Sequence, residues 1–263
     1  MKRGIISVLT IFFMALTLSN VQAHYHWINV DNYNPMVDEE ITISIGYGHQ
    51  FPAGEVLKKV EKIEKFYLVD PEGKIVHLEV KTQGEGEDKQ VSPIKMKSKT
   101  KGTYLIVLEK KPGFVSKTTE GYKSQSKKGL QNVLSSSWSE GSAKTFINVG
   151  ETAGESFLKD IGQRCQIIPL DNPTDLKEGD YLRLKTTLDG KPYSTFVYGT
   201  YAEFSEDKDT FAYTTKTNKE GIAKIKILKK GVWLIKTSDT IPYPNPDEAD
   251  SYSFTNTLTF KIK

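Results

Sequence analysis

The 263-residue chain is poor in the residues that most often carry catalysis and metal chemistry. It has one cysteine, Cys165. A lone thiol makes no internal disulfide and no thiolate cluster, so its expected role is a small buried filler. There are four histidines. The motifs G-x-S-x-G, H-E-x-x-H, the P-loop and the dinucleotide fingerprint are absent, and no enzymatic activity is expected. A dominant charge is missing too: 36 basic and 33 acidic residues are interspersed, for a net charge of +3. Without a sustained basic block, no nucleic-acid partner is expected.

Long hydrophobic runs are absent with one exception. Residues 5–18, "IISVLTIFFMALTL", form an apolar run of 14 behind Lys2 and Arg3. "SNVQA" comes next and ends in a small-x-small pattern at Val21 and Ala23. These are the three parts of a secretory signal peptide, cleaved after Ala23. The run falls short of the roughly 20 residues a membrane helix needs. The expectation is a protein that does not span the membrane and, in a bacterium, resides in the periplasm.

Beyond Ala23 the chain reads as β-structure. In "EEITISIGYG", Ile41, Ile43 and Ile45 share one face. "KFYLVD", "KIVHLEV" and "TYLIVLEK" are further short strands separated by turns such as "DPEGK". Residues 113–145 are polar and rich in Ser and Lys, and are expected to be an insertion with a short helix at about residues 129–136. Residues 151–165 read as a linker. The strands resume at "QIIPL", with a tight turn at "LDGKP" and a hairpin turned by "NKEG" that carries Ala223, Ile225 and Ile227 inward. The expected class is all-β: a β-sandwich domain over residues 24–150, and a second over residues 166–263.

The histidines carry the functional signal. After cleavage the chain starts His-Tyr-His, with a free amine on His24. One coordination option is planar: the amine, two deprotonated backbone nitrogens and the His26 imidazole. The other chelates the metal between the amine and Nδ1 of His24 and adds a further imidazole. Nitrogen-rich planar sets suit Cu(II) or Ni(II). His49, in "GYGHQFPAGE", sits where a strand turns into a loop and is a candidate third imidazole. His77, inside "KIVHLEV", reads as a strand packing residue.

Together "AHYHWINV", "GHQFPAGE", "QIIPLDNP", "LDGKPYSTFVYGTY" and "TNKEGIAKIKILKKGVWLIKT" resemble, in that order, the exported periplasmic components of nickel/cobalt uptake systems. The resemblance implies immunoglobulin- or prealbumin-like sandwiches that bind Ni(II) or Co(II) and serve a membrane metal transporter. It carries over His24 and His49. His26 departs from the family pattern, and the added imidazole favours copper, so a copper chaperone is the alternative. A second alternative is a carbohydrate- or protein-binding module that uses surface aromatics such as Tyr193, Tyr198, Tyr201, Tyr243 and Tyr252.

Overall fold

The computed structural model describes residues 24–150, 154–155 and 158–263; the leader expected over residues 1–23 lies outside them. In chain order the strands are β1 (Tyr25–Val30), β2 (Glu40–Gly48), β3 (Ile63–Val69), β4 (Ile75–His77), β5 (Thr82–Gln83), β6 (Gln90–Val91), β7 (Ile94–Lys97), β8 (Gly102–Lys110), β9 (Gly113–Thr118) and β10 (Gly121–Lys123). They continue with β11 (Val133–Val149), β12 (Cys165–Pro169), β13 (Tyr181–Leu188), β14 (Lys191–Pro192), β15 (Phe196–Tyr201), β16 (Tyr213–Lys216), β17 (Ile222–Lys226), β18 (Gly231–Pro242) and β19 (Ser251–Ile262). Among the described residues no α-helix forms, and none is long and apolar enough to cross a membrane.

The strands make three layers, so the expected all-β class holds. The middle layer is a ten-stranded sheet with the path β16-β15-β18-β19-β11-β8-β3-β4, extended by β9 and β10. One face is covered by β1-β2-β7, and the other by β12, β13, β14 and β17. Strand β8 shows why. Its Tyr104, Ile106 and Leu108 pack toward the first outer sheet, and its Leu105 and Val107 toward the second. A strand buried on both faces is apolar throughout, whereas β2, with only one face on a core, alternates.

The two expected sandwich units share this middle sheet. Strands β11 and β19 pair in parallel from Ser137↔Ser251 to Thr145↔Thr259. Tyr67, Leu105 and Phe146 lie in one core with Ile167, Leu184 and Trp233. Residues 151–165 therefore cross from one part of a continuous structure to another; residues 151–153 and 156–157 lie outside the described set.

Two local expectations are corrected. The helix at about residues 129–136 is absent, because the chain turns there and enters β11 at Val133. Its polar residues complete a ladder with β9, where the Ser116 and Ser136 hydroxyls meet at 2.8 Å and Phe114 packs edge-on to Trp138. Apolar residues spaced like a helix face thus serve an extended strand, where ladder bonds outweigh local propensity. The "NKEG" turn does form, with Gly221 N–H donating to Asn218 O. It links β16 of the middle layer to β17 of an outer sheet instead of closing a hairpin. The "LDGKP" turn closes β13 onto β14 as expected, with Asp189 and Gly190 at φ 51° and 72°. Paired positive φ values match the strand twist in a two-residue hairpin.

Strand β1 is held from several sides. It pairs with β2 from Tyr25↔Gly48 to Val30↔Ile43. Trp27 lies over Gly46, where an added Cβ would sit 2.0 Å from the indole nitrogen. From the middle layer, Thr257 and Thr259 donate their hydroxyls to the carbonyls of His26 and Ile28, at 2.7 and 2.6 Å. Thr259→Val keeps the shape and removes the donor. It is expected to cost about 1–3 kcal/mol of stability by urea unfolding, the penalty for a buried unpaired carbonyl.

Lys144, on β11, is buried between layers. Burial pulls its pKa down to about 8, against the opposing influence of Cys165, Asp160 and Glu109. The unfolded chain holds this proton up to about pH 10.5, so between about 8 and 10.5 it binds more protons than the folded chain. The folded state therefore gains stability from this residue as pH rises through that window. Lys144→Met should stabilise by on the order of 2 kcal/mol near neutral pH. Denaturation at stepped pH should show the advantage shrinking above pH 8.

Candidate metal site

His24 directly precedes β1, and the β1–β2 ladder sets it beside the far end of β2 and the loop after it. That loop turns tightly, with Gly48 and Gly54 at positive φ and Gly54 N–H donating to Gln50 O. It returns Glu55 to the ladder. His24 Nε2 lies 3.1 Å from Glu55 Oε2. The His24 ring stacks on Tyr47 at 4.9 Å and lies 4.5 Å from the His49 ring. His24 and Glu55 are each about half exposed, and Lys208 Nζ lies 3.7 Å from the other Glu55 oxygen.

His49 is anchored more deeply. Its Nδ1 lies 2.9 Å from Asp209 Oδ2, an ion-pair contact without hydrogen-bond alignment, and its carbonyl accepts from the Asp209 N–H and the Tyr25 hydroxyl. Lys236 Nζ, on β18, sits 3.5 Å from the other Asp209 oxygen and 4.1 Å from the Tyr25 ring centroid. Burial lowers the Lys236 pKa, and Asp209 opposes that shift. Burial and then the Asp209 charge raise that of Tyr25. The arrangement is a chain from imidazole to carboxylate to buried cation, packed against an aromatic ring.

Each histidine thus has one ring nitrogen facing a carboxylate. For His24 it is Nε2, which leaves Nδ1. For His49 it is Nδ1, which leaves Nε2. Those remaining nitrogens are the donors that chelation through the His24 amine and Nδ1, completed by another imidazole, would use. An outer carboxylate on a ligating histidine fixes its tautomer and raises its basicity. Among the described residues, no three His, Cys, Asp or Glu side chains already form a metal cage.

His26 is placed differently. It points into the interior, 6% exposed, and its Nε2 has no hydrogen-bond partner among the described residues. Burial first, then Lys110, Lys62 and His24, pushes its pKa down to about 3. Its ring packs on Tyr47, and the described ring contacts include none between it and His24 or His49. The planar set of sequence reasoning would have to pull this imidazole out and strip the first amides of β1 from a formed ladder.

Elsewhere, Cys165 is the expected buried filler, its thiol pushed up to about 12 by burial. The tyrosines do not form an exposed platform. Tyr252 is fully buried, and Tyr193, Tyr198, Tyr201 and Tyr243 are half-buried. Sequence reasoning missed Glu55, Asp209 and Lys236. Glu55 lies within the "GHQFPAGE" stretch, a usable signal; nothing local singles out the other two.

Residues 21–240 match the family described as "Domain of unknown function (DUF4198)". No curated protein matches the chain. Among solved structures, the D0-D1 domain of Intimin is 13% identical, with 91% of this chain and 100% of that chain covered, at a TM-score of 0.21. Murine CEACAM1b is 12% identical over 90% of this chain and 98% of that one, at 0.22. Salmonella alpha-2-macroglobulin reacted with methylamine is 8% identical over 91% and 15%, at 0.24. At these scores the likenesses carry no weight for function.

The Asp209 contact has a consequence that needs no metal. Nitrogen-15 shifts of the His49 ring should report a preference for the Nδ1–H tautomer, drawn by the Asp209 carboxylate 2.9 Å away. Asp209→Asn should convert it to a mixture of tautomers, while the His26 signals stay unchanged.

Proposed function

The chain belongs to the DUF4198 family, and we propose that its mature form is an exported protein that binds one divalent transition-metal ion at its N-terminus. Cleavage after Ala23 would create the site by freeing the His24 amine. The amine and Nδ1 of His24, with Nε2 of His49, supply three nitrogens to Ni(II) or Co(II). The observation that carries this reading is the pair of outer carboxylates: Glu55 takes the far nitrogen of His24, and Asp209 the inner nitrogen of His49. Binding and hand-over are the proposed activity, with no catalytic step. The exposed His24–Glu55 side gives a membrane transporter access to the ion, while the buried Asp209–Lys236 side holds His49 still.

The same three nitrogens favour a second reading, a periplasmic copper carrier, because copper leads the affinity order for such donors. Both readings drop His26 from the ligand set. Its buried imidazole instead fills space beside Tyr47.

Titration of Ni(II), Co(II) and Cu(II) into a chain that starts at His24 should give one ion per chain, tighter as pH rises, since the ligands must shed protons. One extra residue before His24, or His49→Ala, should abolish most of this affinity. Asp209→Asn should weaken it about 10–100-fold, and His26→Gln should leave it intact. Equal, weak binding by the native-start and extended chains would sink the proposal. Competition followed by electron paramagnetic resonance decides between copper and nickel.

A further inference from the structure

A cleft of about 610 Å3 opens on the face of the middle layer opposite β1. It exists because the second outer sheet ends at β12 and leaves part of the middle layer bare. Residues 161–165, which lead into β12, form one rim.

The strands beneath change character at that edge. On the same face, β8 passes from Leu105 and Val107 to Glu109. β11 passes from Phe146 to Ser142 and Glu140, and β19 from Phe260 and Leu258 to Asn256. Apart from the buried Lys144, the covered positions of these strands are apolar, while Glu109, Ser142, Glu140 and Asn256 bring hydrogen-bonding groups to the cleft beside Tyr252 and Phe254. That gain of polar groups, repeated on three adjacent strands, marks a floor suited to a polar occupant.

The polar groups are held in place. Glu109 accepts from Gln163 Nε2 and the Tyr67 hydroxyl, each at 3.3 Å, and pairs with Lys65 at 3.0 Å. Glu140 accepts from Trp138 Nε1 at 2.9 Å and the Tyr252 hydroxyl at 2.6 Å. Arg164 is fixed by Asp189 at 2.8 Å and lies 4.0 Å over the Tyr252 ring. Asn256 is 3% exposed; its carbonyl oxygen accepts from Ser142, and its Nδ2 has no hydrogen-bond partner among the described residues. A fixed carboxylate keeps lone pairs for further donors, and a fixed amide offers a donor.

The charges decide the ligand class. Glu64, Glu109 and Glu140 are balanced by Lys65, Lys110 and Arg164. Such a lining has no net attraction for an anion or a cation. It alternates acceptors with donors, which suits an uncharged ligand whose groups each donate and accept. We propose that this cleft binds a neutral oligosaccharide. The volume lies within the roughly 300–1,000 Å3 range of small-molecule sites. The proposal is independent of the metal site.

The test is calorimetric titration of the chain, leader removed and chelator present, with neutral oligosaccharides of glucose, galactose, mannose and N-acetylglucosamine, two to four units long. Uronic-acid and glucosamine counterparts serve as charged controls. At least one neutral sugar should bind saturably and more tightly than its charged counterparts. Glu109→Gln and Gln163→Ala should each weaken it about tenfold or more, and His24→Ala should leave it unchanged. Gln163 lies on the rim outside the strands, so its replacement tests the cleft without opening the core; melting curves check that both variants fold. No saturable binding of any neutral sugar, preference for the charged ones, or binding indifferent to both substitutions would overturn the proposal.

Discussion

The parallel ladder between β11 and β19 is the constraint on which the rest of the molecule depends. It joins the two halves of the chain into one middle sheet, and that sheet is buried on both faces. Because β19 lies there, its threonines reach the carbonyls of β1 and fix the strand that carries the first histidines. Because β18 pairs with β19, Lys236 arrives beneath Asp209, and Asp209 beneath His49. The candidate metal site and the cleft lie on opposite faces of the same sheet, each at a place where an outer sheet runs out.

Much of the fold was legible in the sequence because one-sided burial writes itself as alternation. Ile41 and Ile43 of β2 and Ala223, Ile225 and Ile227 near β17 face cores as their spacing required. The continuous apolar run of β8 also held information, since a strand apolar on both faces needs cover on both faces. Read alone it signals only a short buried strand, because which sheets cover it depends on pairings far away in sequence. The β16–β17 turn was legible as a turn and not as a crossing between layers, for the same reason. The β9–β11 region misled because Leu130, Val133 and Leu134 are spaced like a helix face, while the hydroxyl-rich residues around them satisfy one another across the ladder, as Ser116 and Ser136 do.

For the candidate site, sequence named three histidines, and the structure brings two of them, His24 and His49, side by side. His24 and His49 come together because β1 pairs with the end of β2, a local event that short-range sequence can suggest. His26 shares the H-x-H spacing with His24, yet strand pleat and the inter-layer core decide its direction, and Tyr47 and the middle layer enclose it. Asp209 and Lys236 were beyond reach: each is an ordinary charged residue until the ladder brings it under a histidine. A carboxylate set beside a buried histidine is chosen by geometry alone.

The separation along the chain between the ends of this structure sets an order of events. Thr145 and Thr259 meet across the ladder although they are 114 positions apart, and non-local pairing of this kind is slow to form. Synthesis runs from the N-terminus, so His24 is made long before β18 and β19. Until those strands dock, His49 has no Asp209 and β1 has no threonine donors. Strand β1 and the loop that carries His49 therefore wait for the last strands, and their final geometry doubles as a report that the C-terminal strands have docked.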